Sequence, residues 1–185
     1  AEYDRLEAIL GEQLLIGEKD IFQPHMFRMY SLAKHYPEKD GTHFLQTSSG
    51  VVESPKLDGA AISLLKNGDS LIEALTRGDG ITGRPITDRI SQLSYLHNDG
   101  INRSAENLGV HQVTGELVAS IDVPNSRNAA SGSLGLLTGF KERADEIGLV
   151  FVAYDIVGQN IDCKTYSEKL NLLHLLGYET IKTVD

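Results

Sequence analysis

Lys56 stands in the run Ser54-Pro55-Lys56-Leu57-Asp58-Gly59, an amine beside a carboxylate with a glycine close behind. An unperturbed lysine, with a pKa near ~10.4, is a poor nucleophile at neutral pH. Burial or a neighbouring cation lowers that value and frees the lone pair. Thr76-Arg77-Gly78-Asp79-Gly80 offers such a cation, and its guanidinium also suits a phosphate. Further along stand Gly115-Glu116, the polar run Asn125-Ser126-Arg127-Asn128, and Tyr154 within an apolar stretch. Each has an ordinary alternative. A lysine beside an aspartate is commonly a solvated pair, and Arg-Gly-Asp is commonly a turn. Glu116 fits a strand carboxylate facing water, Arg127 fits loop polarity, and Tyr154 fits the core.

Local chain geometry brings the first two runs together. Ala60 to Lys66 and Leu71 to Thr76 are short β-compatible runs joined by Asn67-Gly68-Asp69, a strong hairpin signal. If Lys66 faces Asp69 or Ser70, antiparallel pairing carried outwards sets Asp58 opposite Arg77 or Gly78. Lys56, Asp58, Arg77 and Asp79 are thereby expected at the open end of one hairpin. Gly59, Gly78 and Gly80 there allow a ligand to approach the backbone closely.

The remaining pattern supplies the scaffold. Glu2 to Leu15 reads as a helix with Leu6, Ile9 and Leu10 on one side. Pro37 to Gly50 is polar and turn-rich. Ile86 to Tyr95 fits a short helix, Val110 to Ala119 a strand, and Leu149 to Val157 a buried strand. Asn125 to Leu137 is rich in small and polar residues. Tyr166 to Leu176 is amphipathic and stops at Gly177, a C-cap position. Several strands with few helices between them predict α+β with an antiparallel sheet.

Composition narrows the setting. The 185 residues are 41% hydrophobic and 23% charged, the balance of a globular domain. No apolar run reaches the ~20 residues of a membrane helix, and no secretory signal opens the chain. Cys163 is the single cysteine, which excludes an internal disulfide and a cysteine-built zinc site and fits a reducing, cytoplasmic setting. Twenty-six acidic against seventeen basic residues give a net charge of −9, which disfavours a standalone nucleic-acid binder.

As a set, the motifs resemble the adenylation domain of NAD-dependent DNA ligases. The lysine run alone is shared with ATP-dependent ligases, RNA ligases and capping guanylyltransferases. More specific are Thr76-Arg77-Gly78-Asp79-Gly80, the run from Asn125 to Leu134 with its Arg127-Asn128-Ala129-Ala130, and Phe151-Val152-Ala153-Tyr154. Met29-Tyr30-Ser31-Leu32 resembles the Met-Leu-Ser-Leu run that opens that domain. Ala1-Glu2-Tyr3-Asp4-Arg5-Leu6 resembles the last part of the region that recognises nicotinamide mononucleotide (NMN).

The resemblance implies the antiparallel-sheet nucleotidyltransferase core of the DNA ligase and mRNA capping enzyme superfamily. It implies that Lys56 attacks NAD, releases NMN and becomes lysyl-AMP, and that AMP then passes to a 5′-phosphate at a DNA nick for sealing in replication and repair. Tyr154 would stack on adenine, Arg77 and Glu116 would hold the ribose, and Asp58 would organise the lysine site. Ser31 and Leu32 would border the adenosine pocket, Tyr3 and Asp4 would contact NMN, and Asn125 and Arg127 would serve the nick. Mg²⁺ would offset phosphate charge.

The family pattern also breaks. Ser54 stands where the family carries a glutamate, Gly135 where it carries an arginine, and Arg84-Pro85 where it carries Glu-Asp. The expected organisation is a remnant NMN-region helix and linker over 1–22 and a partial adenylation domain over 23–185, incomplete at its C-terminal end. The expected partners are nicked double-stranded DNA, reached through missing domains, and a second polypeptide with the remaining ligase motifs. Such an arrangement is one subunit of a split, phage-type ligase in a bacterial cytoplasm. The competing readings are an ATP- or GTP-using nucleotidyltransferase and a non-catalytic, nucleotide-binding ligase subunit.

Overall fold

The computed structural model describes residues 22–31, 36–40, 52–96 and 108–183. The expected helix from Glu2 to Leu15, and the residues Tyr3, Asp4 and Leu32, lie outside them. In chain order the elements are β1 (Gln23–Pro24), α1 (Pro37–Asp40), β2 (Ala60–Asn67), β3 (Ser70–Thr76), β4 (Thr82–Gly83) and α2 (Thr87–Ile90). They continue as a 3₁₀ turn (Ser94–Leu96), β5 (Val110–Ala119), α3 (Ser126–Leu134), α4 (Phe140–Glu146), β6 (Leu149–Gly158), α5 (Tyr166–Leu175) and β7 (Glu179–Thr180). Where one helix was expected from Ile86 to Tyr95, the chain makes α2 and the separate 3₁₀ turn.

One sheet runs β3-β2-β5-β6-β7, and β1 pairs with β4 in a small second one. Every pair is antiparallel except β6 with β7. The fold is mixed α+β with a predominantly antiparallel sheet, as expected. Alternate residues of the strands face a single core. Ile62 and Leu64 of β2, Val113 and Leu117 of β5, and Phe151 and Ile156 of β6 join Phe140 and Leu173 from the helices. α3 packs on β5 and β2, while α5 packs on β6 and β7. Thr165 and Glu168 close a capping box at the start of α5, and Gly177 at φ 86° follows its C-cap.

The hairpin forms, but in a different register from that expected. Asn67 pairs with Ser70, so Gly68 (φ 55°) and Asp69 make a two-residue turn. Leu65 then pairs with Glu73 and Lys66 with Leu71, leaving Ile72 as an extra residue in a β-bulge. The ladder ends at Ile62–Thr76, and the Arg77 N–H donates to the Ala61 carbonyl at 2.9 Å. Arg77 is thus aligned with Ala61 and not with Asp58. The turn carries the partner of Lys66 one or two residues beyond the expected Ser70 or Asp69, to Leu71, and the bulge adds one more.

The outer edge of β3 is partly covered. Thr76 N–H donates to the Arg84 carbonyl at 2.9 Å, Ile86 N–H to the Ala74 carbonyl at 2.8 Å, and Leu75 bridges Pro85. Among the described residues no helix is long and apolar enough to cross a membrane.

Candidate functional site

At the open end of the hairpin lies a cleft of about 460 Å³. Gly59, Ala60 and Ala61 form one part of its wall, Arg77, Gly78 and Arg84 another, and Glu116, Arg127 and Gly135 a third. Three guanidinium groups therefore meet one carboxylate there, within a chain of net charge −9. A cleft of that composition favours an anionic ligand. A smaller cavity of about 210 Å³ lies at the turn end of the hairpin, beside Lys66, Asp69 and Tyr178.

Arg77 is held by its main chain and its side chain. Its carbonyl accepts from Gly80 N–H at 2.9 Å, closing the turn, and its guanidinium donates to the Ser31 hydroxyl. Its Nε is buried without a hydrogen-bond partner. Gly78 and Gly80 have φ of 55° and 87°, and a Cβ on either would lie 2.0 Å from Thr82 O or 2.3 Å from Met29 O. Only glycine fits both the dihedrals and the space. Asp79 locks the loop from the other side by accepting from Ile81 and Thr82 N–H at 2.9 and 2.7 Å. Those two bonds hold its carboxyl below the usual aspartate range. Asp79 thus shapes the loop and is not among the residues that line the cleft.

Glu116 and Tyr154 come from neighbouring strands. In the β5–β6 ladder Thr114 pairs with Asp155 and Gly115 with Ala153, so Tyr154 is an extra residue at a bulge. Buried positions run 149, 151, 153 and then 156, which shows the alternation reset at Tyr154. Gly115 makes room opposite: a Cβ there would lie 2.5 Å from the Phe151 ring. Burial pushes the Tyr154 hydroxyl up to about 12, the negative charge of Glu116 adds to this, and Arg77 opposes it. Tyr154 is thus protonated at neutral pH, a half-buried ring with a hydroxyl at its tip.

Burial also raises the Glu116 carboxyl, against the pull of Arg127, Lys56, the Gly59 N–H and Arg77. Lys56, Arg77 and Arg127 thus each act on one carboxylate through their charge. A folded-state value above the unfolded one means that protonated Glu116 is the form folding prefers. That stabilisation is full below the ordinary glutamate value and is lost as pH rises through the raised one. Glu116→Gln is therefore expected to raise the melting temperature at pH 7 by about 1 °C, given the screening of a half-buried group. At pH 3.5 the difference should vanish, and calorimetry at the two pH values checks the sign.

Lys56 is exposed just ahead of β2. Asp58 pairs with Arg127 at 3.1 Å, across the mouth of the cleft from α3. The Asn125 side chain accepts from Asn128 N–H at 2.8 Å and caps α3, which starts the helix that carries Arg127. Arg77, Glu116 and Arg127 thus line one cleft, Asp58 joins them through Arg127 and Ser31 through Arg77, whereas Lys56 and Tyr154 are not among the residues that line it and are linked to Glu116 through charge. Asn125 acts on this face as a cap.

Other residues of the site went unread in the sequence. Arg84 and Phe22 line the cleft. Gln112, buried in β5, donates to the Phe27 carbonyl at 2.8 Å and accepts from its N–H at 3.3 Å. His25 touches both Ser63 and the Arg77 carbonyl. Gln112 shares its face of β5 with Thr114 and Glu116, and that polar alternation was the available signal. Nothing local marks His25.

Comparison with known proteins adds an independent line. A family model described as NAD-dependent DNA ligase adenylation domain matches residues 21–123. The DNA ligase of Campylobacter concisus (strain 13826) is 30% identical over 96% of this chain and 32% of its own length. Those of Sulfurimonas denitrificans and Helicobacter pylori (strain G27) are 28% and 27% identical, over 84% and 86% of this chain and 26% of their own lengths. The chain spans about a third or less of the curated relatives it matches. Since the family match covers more than half of these 185 residues and includes the lysine run, the glycine-rich arginine loop and Glu116, the chain belongs to the NAD-dependent DNA ligase adenylation domain family.

Proposed function

We propose that this chain carries out the first half-reaction of an NAD-dependent DNA ligase, with Lys56 as the nucleophile. The Lys56 amine, having lost its proton, attacks the α-phosphorus of NAD. An N–P bond forms, the P–O bond to NMN breaks, and NMN leaves with the electron pair. Lysyl-AMP remains, and AMP then passes to the 5′-phosphate of a nick, from which the 3′-hydroxyl displaces it. The supporting observation is the cleft lined by Arg77, Arg84, Arg127 and Glu116, a carboxylate that also feels the charge of Lys56.

In this reading the Tyr154 ring stacks on adenine, and Glu116 and Arg77 orient the ribose hydroxyls. Both residues line the cleft. Asp58 and Arg127 form a pair that an incoming phosphate would divide, freeing the guanidinium for the nick side. Ser31 steadies Arg77 at the edge of the adenosine pocket and Leu32 borders it. Asn125 aids the nick contact by capping α3, and Tyr3 and Asp4 face NMN. Residues 1–22 belong to the NMN region and linker, and 23–185 to a nucleotidyltransferase core of the ligase and capping enzyme type.

Mg²⁺ belongs to the same proposal as a counter-charge for the phosphates. Among the described residues no three His, Cys, Asp or Glu side chains gather. The fit is therefore to an ion held chiefly by phosphate oxygens and water, as Mg²⁺ commonly is. DNA-encircling surface and the remaining ligase motifs would come from further ligase segments. Relatives that are bacterial support a bacterial setting for the reaction.

The deciding experiment incubates the chain with NAD, ATP and GTP in parallel and locates any covalent nucleotide by peptide mass. AMP on Lys56 from NAD alone is the expected result. Labelling by ATP and not by NAD would replace this reading with that of an ATP-using nucleotidyltransferase. No label from any donor, with a complementing ligase fragment present, would leave a nucleotide-binding, non-catalytic subunit.

A further inference from the structure

We propose that His25 is a positioning residue for Arg77, fixing the glycine-rich loop through a ring of defined tautomer; this rests on reading the cleft as the nucleotide site. The His25 Nε2 lies 3.1 Å from the Arg77 carbonyl oxygen, and its Nδ1 lies 3.0 Å from the Ser63 hydroxyl oxygen. A carbonyl only accepts, so Nε2 carries the proton and donates. In the neutral ring Nδ1 is then left to accept, and the buried Ser63 hydroxyl donates to it. The ring thus ties the loop to the interior of β2 through one defined pair of hydrogen bonds.

The rest of this segment follows the same loop. His25 N–H donates to the Ile81 carbonyl at 2.9 Å and Met29 N–H to the Gly80 carbonyl at 2.9 Å. β1 pairs Gln23 with Gly83 and Pro24 with Thr82. Gln112 anchors the Phe27 peptide to β5 from behind. Within this strap the His25 ring alone reaches the carbonyl of Arg77 itself. That carbonyl already accepts from Gly80 N–H, so the ring supplies its second bond. A Cβ on Gly83 would lie 3.1 Å from Nε2, which shows how closely the ring lies against the loop. Loss of the ring leaves the Arg77 carbonyl with the Gly80 bond alone, which loosens the loop and lets the guanidinium drift off line, and misplacement on the ångström scale is costly in a positioned site.

Gln and Asn separate this role from simple packing. A Gln carboxamide carries an acceptor and a donor spaced much like the two ring nitrogens, and its length reaches the Arg77 carbonyl. Asn is too short to reach it. In the full chain, amide exchange at Arg77 and Gly80 is expected to quicken about tenfold in His25→Ala and His25→Asn, and to stay within about threefold of wild type in His25→Gln. The single-turnover rate of AMP transfer from saturating NAD to Lys56 should fall about tenfold or more in the same two variants and recover in His25→Gln. Exchange that is unchanged in His25→Asn, or equally quickened in His25→Gln, overturns the proposal. A wild-type chain that forms no adduct with NAD even with a complementing ligase fragment present sinks the adenylation reading instead, while the exchange comparison still judges His25.

Discussion

Lys56→Ala and Lys56→Arg are both expected to leave the chain without covalent AMP, at or below background. Arginine is the stricter test. It preserves the positive charge that acts on Glu116, yet a guanidinium stays protonated and offers no lone pair for attack on phosphorus. A purely electrostatic lysine would tolerate that change, whereas a nucleophile does not. Removing a covalent nucleophile typically costs on the order of 10⁴-fold or more in rate. Lys56 is exposed, so neither substitution should disturb folding. Intact mass after incubation with NAD, together with non-covalent AMP affinity, separates lost chemistry from lost binding. Labelling of Lys56→Arg at the wild-type rate would place the nucleophile elsewhere.

Phe151→Ala is expected to have the largest effect on stability. Phe151 is 1% exposed, lies under the glycine gap at position 115 and meets Tyr178 edge-on at 6.0 Å. Truncating a core phenylalanine removes its transfer free energy and leaves a cavity, together about 3–5 kcal/mol. In a chain of this size that corresponds to a fall in melting temperature of about 10 °C. The site should suffer as well, because the ring sits on the β6 stretch that ends in the Tyr154 bulge and faces the residue before Glu116. Thermal unfolding checks the first effect and AMP affinity below the new transition checks the second. A fall of only one or two degrees would mean that the core closes over the gap.

What the sequence made legible was set by local forces. Asn67-Gly68-Asp69 announces a turn because the chemistry of φ > 0 is local, and the strands on either side follow from alternation. β5, β6 and α5 were readable for the same reason, each a run whose periodicity matches its element. The hairpin register was not readable, since the bulge at Ile72 answers to packing on both faces of β3. β7 escaped notice because two residues carry no pattern; it exists through its pairing with Val152 and Ala153. α3 was described only as small and polar, although Asn125 had the chemistry of a cap, and α4 has too few apolar residues to stand out.

The site divides similarly. Lys56, Arg77 and Glu116 were visible as motif residues, and the structure brings them together although the alignment used to join Asp58 with Arg77 was off. Tyr154 was read as either core or platform. The bulge makes it half-buried, a position between the two readings that no periodicity could supply. Arg84 and His25 reach the site by tertiary folding alone. Asp79 belonged to the motif, but the structure gives it the task of holding the loop.

The two rims of the main sheet bear on how the chain behaves when crowded. A straight, unoccupied rim would invite a second copy to add its own strand and begin a growing stack. Here half of one rim is taken by the stretch from Arg84 to Thr87, and Ile72 breaks the repeat of donors and acceptors on the other half. The opposite rim is a strand of only two residues. Among the described residues the β3 rim therefore presents no long template for self-assembly, and its bulge guards that rim against fibril growth.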